Sequence, residues 1–274
     1  MVSAAETVQV RLECETGRVK VMGERVVFIW DIDGVVLDSP HEELWRLALM
    51  REPWKTEGLT SDFYVTYVAS RPRLEGAHNI LELLGVYERL GATSHEAKRG
   101  LMERYSSEKD SLTKELIGRG EFKLFADAVA LLLQARQAGI LQAAASASKN
   151  ASTLLRLVDR SRVLREVGDD FGAMSQGDTL YSAFDFDACG VERGGKVGIL
   201  RYAARGLRNL VEGRIDKLFV FEDTASGVRS AKSLGYHAVG VLRIGERKAL
   251  EEAGAELVTE DLTTLEIDDL LRLG

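Results

Sequence analysis

Cysteine is scarce in this chain of 274 residues: Cys14 and Cys189 stand far apart and match no metal-ligand spacing. That excludes a disulfide framework and a thiolate metal site, and free thiols in a reducing compartment are the expectation. No apolar run reaches the length of a transmembrane helix. Residues 1–10 lack both a basic stretch and a long apolar run, so no secretory leader is expected and the cytoplasm is the expected compartment. Positive charge is also in deficit. With 36 Lys and Arg against 43 Asp and Glu, the net charge of −7 argues against nucleic acid or an anionic membrane as partner. Internal repeats and low-complexity runs are missing too. What remains, 45% apolar and 29% charged, is ordinary globular composition. The length permits one large domain, or a domain with a sizeable insertion, and an ample core.

The organising stretch is "VVFIWDIDGVVLDS", residues 26–39. Five consecutive apolar residues, Val26, Val27, Phe28, Ile29 and Trp30, read as a strand buried on both faces. Asp31 and Asp33 follow at i and i+2, on one side of an extended chain, and Gly34 permits a sharp turn beyond them. Paired acids at the carboxyl end of a buried strand suit phosphoryl transfer through a covalent intermediate. Asp31 would attack phosphorus, and Asp33 would protonate the leaving oxygen and later deprotonate the acceptor. Carboxylates approaching a phosphate need a cation, which implies Mg²⁺. Two acids in a turn, or capping a helix, is the alternative reading of this stretch taken alone.

The stretch resembles the first motif of the haloacid-dehalogenase (HAD) superfamily, Asp-x-Asp-Gly-[Val/Thr] after an apolar strand. The rest of the chain is compatible with that resemblance. Val8, Val10, Leu12 and Cys14 alternate with polar residues, Glu15-Thr16-Gly17 reads as a turn, and Val19 and Val21 resume the alternation. A β-hairpin over residues 1–25 is therefore expected ahead of the catalytic strand. Helical patterning occupies 40–121: residues 41–51, 61–69 and 73–84, then a long charged helix capped by Thr93 or Ser94 and running towards Ile117. From Phe122 a strand–helix alternation returns. Helices are expected at 126–138 and 151–165, and strands at 140–145, 179–184, 217–221, 237–242 and 256–259. The expected fold is α/β: a doubly wound, mostly parallel Rossmann-like core (residues 1–39 and 122–274). The resemblance implies that 40–121 is an inserted α-helical cap.

Three further stretches carry chemistry. The strand at 140–145 ends in "SASKN", placing the Ser146 hydroxyl beside Asp31 if the two strands are neighbours. Backbone N–H groups at the following helix start and Lys149 would add positive field, while Asn150 as a plain cap is the structural alternative. "SASKN" resembles the second motif of β-phosphoglucomutase-type HAD proteins. Lys196 in "GGKVGIL" is the candidate for the motif lysine that neutralises Asp31 and the transferring phosphate, although the usual Lys-Pro-x-Pro is replaced. "FEDTASGVRSAKSLG" resembles the fourth motif, in which acids at a strand end bind Mg²⁺. The resemblance implies Asp31, Asp33, Ser146 and Lys196 as catalytic residues. It implies Asp31, Asp33, Glu222 and Asp223 as metal ligands, Glu222 directly or through a water. Gly34, Ser148, Lys149, Asn150 and Arg73 would bind substrate.

Arg73 enters through "SRPRLEGAHNIL", which resembles the cap segment whose arginine grips the non-transferring phosphate; Arg71 is the alternative. The mutase branch also carries a cap histidine and a cap lysine that assist the general acid. Aligned from Asp33 without gaps, the histidine position holds Glu43, and His41 fits only with two residues deleted. The lysine position falls near Gly100 or Leu101, with Lys98 requiring a shift. A histidine on a charged helix is more often solvated. The expected function is Mg²⁺-dependent hydrolysis of a small phosphorylated metabolite, such as a sugar phosphate, through an aspartyl phosphate. Its rivals are β-phosphoglucomutase-type transfer within a sugar, and a non-catalytic HAD domain that binds a phosphometabolite or a protein. Haloacid dehalogenation is disfavoured because it leaves Asp33 without a task.

Overall fold

The computed structural model describes residues 25–38, 40–69, 71–191, 194–211 and 213–273. The hairpin expected over residues 1–25 lies outside the described residues, except for Arg25. The first apolar run forms β1 (Val26–Asp31), with Val27 through Trp30 fully buried. A tight loop leads to β2 (Leu37–Asp38). Five helices follow: α1 (His41–Leu49), α2 (Ser61–Tyr67), α3 (Arg73–Leu83), α4 (Val86–Arg89) and α5 (His95–Arg119). Ser94 caps α5 by accepting from the Ala97 amide at 3.1 Å, and Gly120 in the left-handed region ends it.

The chain then returns through β3 (Lys123–Leu124), α6 (Ala126–Gln137), β4 (Leu141–Ala145), α7 (Ala151–Arg156) and α8 (Arg160–Glu166). The remaining elements are β5 (Phe186–Asp187), α9 (Gly195–Leu210), β6 (Lys217–Glu222), α10 (Ala225–Ser233), β7 (His237–Val241), α11 (Arg247–Glu252), β8 (Leu257–Thr259) and α12 (Ile267–Arg272). Among the described residues the main sheet has the order β5-β4-β1-β6-β7-β8, and every pairing in it is parallel. Parallel strands bury both faces, and two apolar clusters lie on opposite sides of the sheet. Trp30 and Phe221, adjacent on β1 and β6, stack at 3.9 Å within one of these clusters. The indole of Trp30 donates to Gln142 on β4 at 2.8 Å, satisfying its only polar atom.

Helices α1–α5 gather a third apolar cluster around Trp45, Trp54, Ile80 and Tyr105. The chain enters and leaves this helical insert through adjacent strands. β2 and β3 pair antiparallel, Leu37 with Leu124 and Asp38 with Lys123, and Phe125 N donates to Val36 O at 3.1 Å.

Two local expectations are corrected. Residues 151–165 form two helices rather than one, because Val158 turns into the core and Asp159 starts α8 by accepting from Arg162 N at 2.7 Å. The strand expected at 179–184 is a 3₁₀ turn, Leu180–Ala183; Leu180 and Ala183, three apart, are the residues that reach the core. The edge strand lies just beyond it, at β5 beside β4.

Candidate active site

β1 sits between β4 and β6, and that order assembles the site. In register, Asp31 stands opposite Ala145, so Ser146 is the next residue on the β4 side. Trp30 stands opposite Phe221, which places Glu222 beside Asp31 on the other. Three sequence-distant stretches therefore end together at the carboxyl edge of the sheet, the usual location of a ligand site in an open parallel sheet.

Asp31 is 9% exposed, and its Oδ1 accepts from the Ile32 amide at 2.8 Å. Its Oδ2 lies 2.9 Å from Lys196 Nζ, which also pairs with Glu222. Lys196 is in the first turn of α9. Burial lifts the Asp31 carboxyl well above the usual carboxylate range; Lys196 opposes this, and the charges of Glu222 and Asp223 add to it. For Lys196, burial disfavours the ammonium form, but Asp31 and Glu222 hold its pKa above the ordinary lysine value. Asp223 is pushed up to about 7 by burial and by the adjacent Glu222 charge.

Asp31, Glu222 and Asp223 each offer a carboxylate oxygen within 4.8 Å of the others. Three carboxylates thus face one ammonium, and Asp223 Oδ1 is buried without a hydrogen-bond partner among the described residues. A hard divalent cation with oxygen preference fits this donor set. The backbone is shaped around it. Gly34 has φ of 90°, and a Cβ there would overlap the Asp223 carboxylate; a Cβ at Gly227 would overlap that of Glu222. Thr224 caps α10 through Gly227 N at 3.1 Å, and its hydroxyl donates to Glu222 Oε2 at 3.1 Å.

Asp33 is not part of the three-carboxylate cluster. Its Oδ2 accepts from the hydroxyl of Ser146, a residue 2% exposed, at 3.1 Å, and its Oδ1 lies 3.3 Å from His41 Nε2. His41, expected to be solvated, is the first residue of α1 and reaches the acid directly. Behind it, Lys109 Nζ lies 2.9 Å from His41 Nδ1. An ammonium donating to Nδ1 leaves the proton on Nε2, pointing at Asp33. Burial lowers Lys109 to about 8, with the Asp33 charge opposing and Arg73 adding to the effect.

Sequence reasoning missed Lys109. Lys98 instead pairs with Glu82 at 2.7 Å and lies over the Tyr87 ring, while Gly100 sits on the same stretch of α5. One signal was available: Lys109 shares the buried stripe of α5 with Tyr105, Leu112 and Thr113, an unusual address for an unpaired lysine. Tyr64 on α2 was also missed; burial and the charges of Asp33, Asp223 and Glu42 raise its pKa.

The turn after β4 is ordered by its own side chains. Ser146 Oγ accepts from Ser148 N at 3.1 Å, and Ser148 Oγ from Asn150 N at 3.3 Å. Asn150 begins α7 without a side-chain cap bond. Gly190 closes over Lys149, whose Cα a Cβ would approach to 2.9 Å, and Gly190 N donates to Ser146 O at 2.8 Å. Arg73 is the first residue of α3 and forms an ion pair with Asp110 of α5; Arg71 pairs with Glu75 at 2.9 Å.

No protein-family model and no curated protein matches the chain. Solved structures do. An archaeal β-phosphoglucomutase from Pyrococcus sp. strain ST 04 is 33% identical, with 90% of this chain and 98% of that one covered at a TM-score of 0.72. The chain belongs to the HAD superfamily, in its β-phosphoglucomutase-like branch. A β-phosphoglucomutase from Clostridium difficile (23% identity; 89% of this chain and 95% of that one; TM-score 0.62) shares the fold. So does a hydrolase from Pseudomonas syringae (18% identity; 91% and 99%; TM-score 0.59). The chain is an enzyme of the HAD family. Among the described residues no helix is long and apolar enough to cross a membrane.

Proposed function

We propose that this HAD protein transfers the phosphoryl group of a small phosphorylated metabolite, in particular a sugar phosphate, to water through Asp31. The observation that carries the reading is the pairing of two differently treated acids. Asp31 is gripped by Lys196 at 2.9 Å within the carboxylate cluster, while Asp33 is held by Ser146 and His41 outside it. Asp31 attacks phosphorus, and the leaving oxygen takes the Asp33 proton. Asp33 then accepts a proton from the water that attacks the aspartyl phosphate, which restores both acids. Lys196 and the Ser146 hydroxyl hold phosphoryl oxygens, with Gly34, Ser148, Lys149 and Asn150 around them. Mg²⁺ held by Asp31, Glu222 and Asp223 would offset the negative charge of nucleophile and phosphate. Asp33 orients the proton rather than lending its carboxylate to that cluster. Arg73 would meet a second anion on the substrate, remote from the reacting bond.

One observation favours a second reading, with a sugar hydroxyl as acceptor. The Lys109–His41–Asp33 chain sets the acid from the helical insert, so its geometry depends on the insert being seated on the core. An acid completed only by closure is suited to an acceptor bound under the insert rather than to bulk water.

The test is phosphate release from a panel of phosphorylated metabolites with Mg²⁺, run beside glucose 1-phosphate isomerisation. Asp33→Asn should lose about 10²–10⁴-fold, the usual worth of general acid–base catalysis. Asp31→Asn should release no phosphate while keeping the fold. Wild-type turnover by Asp31→Asn would remove the covalent mechanism. Isomerisation outpacing release would select the second reading.

A further inference from the structure

The turn that carries Asp33 is closed by its own backbone. Gly34 N donates to Leu37 O at 2.9 Å, and Val36 N and Leu37 N donate to Ile32 O at 3.0 and 2.9 Å. Val35, fully buried in this turn, has a carbonyl that meets no backbone donor among the described residues. It accepts instead from Arg243 Nη2 at 3.3 Å. Buried carbonyls are rarely left unpaired, so this side chain completes the turn. Arg243 stands two residues beyond β7, a strand separated from β1 by β6. The same Nη2 donates to Asp127 Oδ1 at 2.8 Å, and Nη1 donates to Glu260 O at 3.4 Å. The guanidinium carbon lies 4.0 Å from the centre of the Phe125 ring, and Asp127 Oδ2 accepts from Leu262 N at 3.0 Å.

One cation therefore bridges both linkers of the helical insert. Val35 lies on the entering linker, Phe125 on the leaving one, and Asp127 in the first turn of α6. The β2–β3 pairing and the Phe125–Val36 bond tie these linkers to each other, whereas Arg243 ties them to the segment beyond β7. The side chains of Arg243 and Asp127 are 11% and 15% exposed, and Arg243 Nε is buried without a partner among the described residues. A buried ion pair is often no more stabilising than apolar side chains filling the same space. Stability alone therefore does not account for an arginine here.

We propose that Arg243 is a positioning residue: by holding Val35 O against α6 and the segment after β7, it fixes the turn on which Asp33 meets Ser146 and His41. The role rests on the phosphoryl-transfer reading, in which Asp33 protonates the leaving oxygen. Released from Arg243, the turn moves with the linkers of the insert, and proton transfer from Asp33 loses its alignment. Asp31, which belongs to β1, keeps its place. The loss therefore falls on leaving groups that need a proton. A sugar alkoxide needs one, whereas p-nitrophenolate departs without it. Lysine is no substitute at 243. Its single ammonium meets Asp127 but not Val35 O, Glu260 O and the Phe125 face together.

Arg243→Lys in the full chain with Mg²⁺ tests the role. The readout is kcat/KM for phosphate release, which reports the steps up to departure of the leaving group, before Asp33 acts as a base on water. For glucose 6-phosphate and β-glycerophosphate it should fall about 10-fold, and for p-nitrophenyl phosphate it should stay within about twofold. Arg243→Met combined with Asp127→Asn, which strands no carboxylate, should widen the difference between alkyl and aryl esters. Hydrogen exchange reads the same turn without turnover. In both variants the amides of Gly34, Val36 and Leu37 should exchange about 10-fold faster, while those of β6 keep wild-type rates. Equal losses on alkyl and aryl esters would overturn the proposal. So would unchanged exchange in the turn, or an equal acceleration in β6. Phosphate release from none of the three esters by wild type would remove the hydrolytic reading, while selective exchange in the turn would keep Arg243 as its anchor.

Discussion

Replacing Asp223 by Asn tests the cation reading without requiring turnover. The Asp223 carboxylate has one oxygen buried without a partner, faces Glu222, and has its pKa pushed up to about 7. Its ordinary value is near 4, so the folded state holds the proton more tightly than the unfolded chain does. With no divalent cation, stability should therefore be highest at acid pH and fall as pH rises from about 4 to about 7. A shift of about three units at ~1.4 kcal/mol each sets a ceiling of ~4 kcal/mol. Residual solvent contact at Asp223 screens this to about 1–3 kcal/mol. Mg²⁺ binds the deprotonated cluster and should recover that loss, most at alkaline pH. For a chain of this length, ~1–3 kcal/mol corresponds to roughly 2–10 °C in Tm. Melting curves at pH 5 and pH 8, each with EDTA or with Mg²⁺, provide the assay. Wild type should gain several degrees from Mg²⁺ at pH 8 and less at pH 5. Asp223→Asn should start higher at pH 8 in EDTA and respond weakly to Mg²⁺. An equal Mg²⁺ response in the variant, or wild-type stability in EDTA that climbs between pH 5 and 7, would refute the reasoning.

Gly34→Ala should lower both Tm and Mg²⁺ affinity, because its Cβ would overlap the Asp223 carboxylate and φ of 90° is strained for alanine; a Mg²⁺ titration followed by melting reads both. Lys109→Met should cut kcat about 10-fold on the preferred substrate and remove the alkaline limb of the pH–rate profile near pH 8, where loss of the lysine proton frees His41 from its fixed tautomer. Retention of that limb in the variant would assign it to another group. Trp30→Ala should cost about 3–5 kcal/mol in urea denaturation, through the lost stack on Phe221 and the orphaned Gln142 oxygen.

The sequence alone determined the parts of this protein that are local. An unbroken apolar run cannot be left in water on either face, so β1 had to be a central strand, and the acids ending it had to emerge at the sheet edge. Ser94 and Gly120 punctuate α5 by chemistry confined to one helical turn, and the strand-then-acid pattern recurs at Glu222. The parallel, doubly wound sheet followed from that rhythm. Errors arose where two periods overlap over a few residues. Leu180 and Ala183 satisfy a three-residue turn as readily as a strand, and only contact with the core chose between them.

Tertiary structure decided which side chains share a charge environment. Strand order brought Ser146 and Glu222 to opposite sides of Asp31, whereas in sequence they are merely later motifs. The crossing of α1 with α5 placed Lys109 against His41, and the antiparallel approach of α3 and α5 joined Arg73 to Asp110. Residue spacing along the chain pointed to Glu43, Gly100 and Lys98 instead. Helix crossings are set by the apolar side chains between them, here Trp45 against Tyr105, and not by the polar residues they carry into contact. A one-dimensional alignment counts residues from the last motif. A helix interface places a lysine by its angular position on the helix, whatever the count.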